Sequence, residues 1–173
     1  METEKYKREL ERIFALDFGS PYFPLLANIY LEEKDLKRAE KVCEIGLQYN
    51  PQNSDGQYVL SKVFIVNNQW IKAERLLKKV IAHNPIHLGA VKKLLAVLEK
   101  LNRSRHTMAE YHKLIIKIDQ SNMCSMNWLK NYTQTAQTRK LKKEKKTLST
   151  NVNKEASRGI PTNLKEDFVI NEK

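Results

Sequence analysis

Glycine is scarce in this chain of 173 residues, which holds five, at positions 19, 46, 56, 89 and 159. Neither G-x-x-x-x-G-K-[ST] nor G-x-G-x-x-G can be written from them, so the common phosphate-cradling loops are excluded. Proline is equally rare, again five, and a sequence poor in both but rich in Leu, Lys, Glu and Ile leans helical. Aromatic residues make up 8%, so the core must be built mainly from aliphatics. Two cysteines, Cys43 and Cys124, stand 81 residues apart without C-x-x-C spacing. They point to free thiols in a reducing compartment. No stretch approaches the ~18 apolar residues of a membrane-spanning helix. The charged opening Met-Glu-Thr-Glu-Lys-Tyr-Lys-Arg has no apolar core of a signal peptide, so a cytoplasmic location is expected.

Acidic residues are also in deficit. Thirty-one Lys and Arg oppose twenty Asp and Glu, for a formal charge of +11. More than half of that excess falls in the last fifty residues. Residues 139–146 hold six basic side chains, Arg139, Lys140, Lys142, Lys143, Lys145 and Lys146, the candidate contacts for a polyanion. No aromatics interleave with them to stack on bases. The low hydrophobicity of 139–173 predicts a disordered tail.

What is present is a repeat. Asn50-Pro51 and Asn84-Pro85 lie 34 residues apart. Ala39 and Ala73 precede the prolines at a common offset, each followed by Glu, and Tyr30 and Phe64 precede the alanines at another. Leu26-Ala27 and Leu60-Ser61 keep the same register. Phe23, Leu26, Ala27 and Tyr30 form one helical stripe, and Leu36, Ala39, Val42, Cys43, Gly46 and Leu47 a second. Small residues at 27, 39 and 46 allow the two helices to approach closely. Ser20 with Pro21 at the first helical position, and Ser54, are the expected helix starts. A third, worn unit runs through Val91, Leu94, Leu95 and Leu98, then Met108, Tyr111, Ile115 and Ile118. It has Asp119-Gln120 in place of Asn-Pro and about one extra residue in its turn.

These residues resemble the tetratricopeptide repeat, the 34-residue helix–turn–helix unit. The resemblance implies an all-α, short right-handed solenoid of antiparallel helix pairs. Its expected parts are an N-terminal helix over 1–19, three repeats over 20–53, 54–87 and 88–121, a capping helix over 122–138 and the basic tail over 139–173. It further implies a concave face lined by the first helix of each pair. Positions two, five, nine and twelve of those helices are Pro21, Pro24, Asn28 and Leu31, then Asp55, Tyr58, Lys62 and Ile65, then Gly89, Lys92, Ala96 and Glu99. The candidate partner groove is taken as Asn28, Leu31, Tyr58, Lys62, Ile65, Lys92, Ala96 and Glu99, suited to a peptide or helix of a protein partner.

Some members of this family clamp a C-terminal carboxylate. The matching positions here are Pro24, Asn28, Val59, Gly89 and Lys93, three of which offer no side-chain donor, so the clamp is rejected. His83 and His87 are separated by Pro85 and lack a third ligand, and Cys43 sits on a core stripe. Neither metal, cofactor nor catalytic site is expected. The leading expectation is a non-enzymatic adaptor or scaffold. The competing one is a nucleic-acid- or ribosome-associated factor that uses the tail with Lys92, Lys93, Lys100, Arg103 and Arg105.

Overall fold

The computed structural model describes residues 2–156; beyond Thr138 the only side chain described is that of Lys142. The described residues form eight helices, α1 (Glu2–Leu16), α2 (Phe23–Glu32), α3 (Leu36–Tyr49), α4 (Ser54–Val66), α5 (Trp70–His83), α6 (Leu88–Lys100), α7 (Arg105–Ile118) and α8 (Met123–Ala156). The chain divides into two compact units, Met1–Leu129 and Lys130–Lys173. The first is an all-α solenoid in which each helix packs on the next from α1 to α7. α2 packs additionally on α4, whereas α3 does not pack comparably on α5. Between the first two repeats the first helices are therefore the closer pair.

The 34-residue period is written into the backbone as well as the side chains. Each pair turns through a residue in left-handed conformation, Lys34 (φ 64°), Asn68 (φ 57°) and Asn102 (φ 49°). The amide immediately following then donates to the carbonyl five residues before it: Asp35 to Tyr30, Gln69 to Phe64 and Arg103 to Leu98, at 2.8–2.9 Å. Each second helix ends alike. The amides of Asp17, Asn50, Asn84 and Asp119 donate to the carbonyl four residues back at 2.7–2.9 Å. Their own carbonyls accept from Ser20, Asn53, His87 and Asn122. Asp119 thus does the work of the two asparagines, and the extra residue of the third unit is absorbed before it.

The helix starts differ from expectation at two places. Asn53, not Ser54, caps α4, its side chain accepting from the Gly56 amide at 2.7 Å. Ser54 is instead the first helical residue. Ser20 occupies the position of Asn53, His87 and Asn122, yet α2 begins only at Phe23, with Tyr22 as its uncapped entry residue. The cause is Pro24. In the other pairs the helix opens with an amide-to-carbonyl bond from Gln57 to Asn53, Val91 to His87 and Met126 to Asn122. Proline has no N–H to give the equivalent bond to Ser20. Pro21 therefore lies outside the helix.

The core follows the two stripes. Phe23 is 1% exposed and its ring lies where a Cβ on Gly46 or Gly56 would approach within 2.4 Å. Three helices can meet around it only because two of them carry glycine there. Tyr30, Phe64 and Leu98 fill one repeating slot. Arg38 lies over the Tyr30 ring and Lys72 over that of Phe64, with 4.7 and 5.2 Å to the centroids. Cys43 is fully buried, and burial pushes its thiol up to about 12, as befits a core residue rather than a nucleophile.

α8 runs past residue 138, where the capping helix was expected to end, and covers the first part of the segment expected to be disordered. Residues 123–156 contain neither glycine nor proline, so nothing local terminates the helix. Residues 157–173 lie outside the described residues.

Candidate functional site

The face expected to form the groove belongs to α2, α4 and α6, each of which buries its apolar stripe and leaves more exposed residues such as Asn28, Lys62 and Lys92 on another side. Asn28 and Lys62 occupy one register position in successive repeats, and the structure joins them: the Lys62 ammonium donates to Asn28 Oδ1. Asn28 Nδ2 in turn donates to Glu32 Oε1 at 2.6 Å. The Lys62 ammonium also lies 5.4 Å from the centroid of the Tyr58 ring, a cation–π distance. Burial, with the nearby Lys93 ammonium, pulls the pKa of Lys62 below its ordinary value. Burial raises that of Tyr58.

Tyr58 connects α4 to α6. Its ring stands 4.5 Å from that of His87, tilted by 53°. His87 Nδ1 accepts from the Ala90 amide at 3.0 Å and so caps α6. A Cβ on Gly89 would lie 2.9 Å from the Tyr58 hydroxyl, so glycine leaves room for the phenol. The sequence marked Tyr58 and Gly89 by register, but His87 only as a rejected metal ligand. Its cap is legible in hindsight, three residues before an amide that needs an acceptor.

The remaining groove candidates are not drawn into this cluster. Leu31 and Ile65 are half-buried and pack against the core. Lys92, Ala96 and Glu99 are exposed along α6, with Lys92 near enough to Asp119 to help lower that carboxyl, after the bonds from Ser121 and Asn122. Pro24 is buried and Pro21 exposed outside α2, so neither is a groove position. Of the basic run, Lys142 is exposed. The side chains of Arg139, Lys140, Lys143, Lys145 and Lys146 lie outside the described residues. Two members of the alternative cationic patch are already engaged. Arg103 binds Glu74 at 2.9 Å, and the Arg105 guanidinium lies 5.5 Å from the centroid of the Trp128 ring.

A second polar cluster was missed. His112 is 9% exposed, stacks on Trp128 at 4.2 Å and has Nδ1 3.1 Å from Ser125 Oγ. Counting back seven residues from Asn50, Asn84 and Asp119 reaches Cys43, Leu77 and His112, a core position each time. That register is the signal that would have found it. Among the described residues no three His, Cys, Asp or Glu side chains come together as metal ligands, and no helix is long and apolar enough to cross a membrane.

Residues 30–98 match the family model described as tetratricopeptide repeat. No curated relative matches the sequence. Among solved structures, the chain is similar to MamA, with TM-score 0.64 and 16% identity over 86% of this chain and 88% of that one. It is also similar to YrrB, a tetratricopeptide-repeat protein described as having an unusual peptide-binding site, with TM-score 0.60 and 14% identity over 67% and 60%. A third similar structure is the first repeat domain of Spaghetti (RPAP3) bound to the HSP90 peptide SRMEEVD, with TM-score 0.55 and 15% identity over 66% and 92%. With its three helix pairs and recurring turns the chain has the tetratricopeptide-repeat fold, and residues 30–98 carry the repeat that the family model describes.

Proposed function

We propose that this protein is a non-enzymatic adaptor that holds an extended or helical segment of a protein partner along the inner face of α2, α4 and α6. The observation that carries this reading is the half-buried polar row Asn28, Lys62 and Tyr58, carried by two successive first helices, with the half-buried Leu31 and Ile65 three residues on from Asn28 and Lys62. A row of hydrogen-bonding groups with apolar residues on the same helices suits a peptide, whose backbone and side chains demand both. Two structurally similar proteins, YrrB and RPAP3, are described as peptide-binding or peptide-bound. Fold likeness supports the mode of action and leaves the partner to be found.

The test is site-specific photocrosslinking. A photoreactive residue at Ala96, exposed on the inner helix α6, is compared with one at Arg75, exposed on α5. Capture from Ala96 but not from Arg75 is expected, and it should persist at about 0.5 M salt, where the screening length has shrunk to about 4 Å. Equal capture from both positions, or capture lost with salt and with nuclease, would replace the groove by a polyanion-binding role.

A further inference from the structure

α1 ends at Asp17 with the backbone bonds that end α3 at Asn50 and α5 at Asn84. It is therefore built as the second helix of a pair, and among the described residues no first helix stands before it. The register shows what such a helix covers elsewhere. Leu25 and Ile29 of α2 correspond to Val59 and Val63 of α4, which are buried on a helix that has α2 packed against it. Tyr6 of α1 corresponds to Ala39 and Ala73, both fully buried. On α1 and α2 the same positions are open: Tyr6 is 53% exposed, Leu25 47%, and Ile29 is half-buried. Tyr22, just before α2, adds another exposed ring. Terminal units of a repeat stack ordinarily turn a polar face outward, and an apolar edge in that place marks an interaction surface. This edge is distinct from the groove, since Tyr6, Leu25 and Ile29 hold none of its register positions.

We propose that this edge takes up a basic amphipathic helix of a protein partner, seated where the first helix of a preceding pair would lie. Shape argues for a helix. Leu25 and Ile29 stand one turn apart on one side of α2, and Ile29 and Tyr6 line a common cavity of about 380 Å³ with Thr3, Glu4, Glu32 and Glu33. A cleft between two packed helices receives a third through an apolar stripe at i, i+3, i+4 and i+7. Charge argues for a basic one. Three of the lining residues are carboxylates and none is a cation, on a chain whose formal charge is +11. Lys7 binds Glu33 at 2.7 Å, and Glu32 accepts from Asn28 and attracts the Lys62 ammonium. Glu4 enters no ion pair among the described residues, so it is the carboxylate left to meet a lysine or arginine on the flank of the guest. A second copy seated edge to edge would bring the same three carboxylates from its own cavity, which makes it the poorer match.

The probe is a fluorescent, acetylated and amidated helix of leucine, alanine and lysine, with leucine and alanine in one stripe and lysine on its flanks. It is titrated by anisotropy against the full chain, beside a peptide of the same composition whose stripe is scrambled. The striped peptide is expected to bind, against the net charge of the chain, and the scrambled one to bind at least roughly tenfold more weakly. Leu25→Lys, at a site exposed enough to leave the fold intact, should weaken the striped peptide roughly tenfold, and Glu4→Gln roughly threefold. Ile71→Lys, the same gain of charge at an exposed apolar site of α5, should leave binding unchanged. Failure of the striped peptide to bind, equal affinity for the scrambled one, or equal loss in Leu25→Lys and Ile71→Lys would overturn the helix seat. Indifference to Glu4→Gln would overturn its preference for a basic guest. Sedimentation of the chain without peptide is the remaining arm: a monomer is expected, and a dimer that Leu25→Lys dissociates would give the edge to a second copy and overturn the proposal.

Discussion

Phe23 shows how a single ring sets the spacing of three helices. Glycine in mid-helix costs about 1 kcal/mol relative to alanine, and Gly46 bears that cost because a Cβ would come within 2.4 Å of the Phe23 ring atom Cγ. Neither the ring, 1% exposed, nor the helix backbone has room to yield. Gly46→Ala is therefore expected to lower stability by about 1–3 kcal/mol despite the better helix propensity. Urea denaturation would read this as a lower midpoint at unchanged slope; an equal or higher midpoint would refute it. Lys34 presents the opposite case. It holds φ 64° where the equivalent positions carry Asn68 and Asn102, and left-handed backbone disfavours residues other than Gly and Asn. Lys34→Asn should raise stability by about 0.5–1 kcal/mol. Gly46 was legible as a small residue on a core stripe. The strain at Lys34 was not, since a turn conformation leaves no mark on a lysine.

At the level of helices, the repeats are tied by clips from one pair to the next turn. Lys7 of α1 binds Glu33 at 2.7 Å, and Glu74 of α5 binds Arg103 at 2.9 Å as well as Lys78 at 2.6 Å. Burial works to raise the Glu74 carboxyl, but the bonds from Lys78 and Arg103 hold it below its ordinary value. A depressed carboxylate stabilises the fold above its unfolded pKa, and that contribution disappears as the pH falls through the folded one. The α7–α8 contact responds to acid at a higher pH. Burial lowers the pKa of His112, against a smaller opposing pull from Glu99, and the ring is faced by Trp128 and Ser125 of α8, with Arg105 of α7 on the same indole. Below about 6.5 the unfolded chain takes up a proton that the folded chain resists, so stability falls as the pH drops through that value. His112→Leu should flatten the decline between about pH 7 and 5.5, measured by urea melts at each pH. A slope as steep as that of the parent would rule out His112 as its source. Helix α8 also marks a limit of sequence reading. Trp128 and Leu129 give the helix an apolar start, but a polar helix without glycine or proline gives no stop signal, so its extent past 138 had no basis in periodicity.

Across the molecule, order comes from neighbour on neighbour, as in any linear stack of repeats. The architecture was legible because the same offsets recur in Asn50 and Asn84, Ala39 and Ala73, Tyr30 and Phe64. Side-chain clusters such as Lys62 with Asn28 were legible only as shared register, since the bond between them depends on rotamers that no spacing encodes. Stacking also dictates where the protein opens first. α4 and α5 contribute the fully buried Val63, Ser61, Ala73, Leu77 and Val80, and they have packed helices on both sides. α1 is covered from one side, by α2, and α7 buries only Ala109, His112 and Ile115. Local opening requires breaking one interface at an end and two in the middle. Native-state hydrogen exchange should accordingly show protection greatest in α4 and α5 and declining toward α1 and α7, with the end helices exchanging at least about tenfold faster. Gly46→Ala, which weakens the α2–α3–α4 junction, should then lower protection in α1 to α3 more than in α7. Uniform protection across all seven helices would mean that the unit opens as a single block and that the nearest-neighbour account of its stability is wrong.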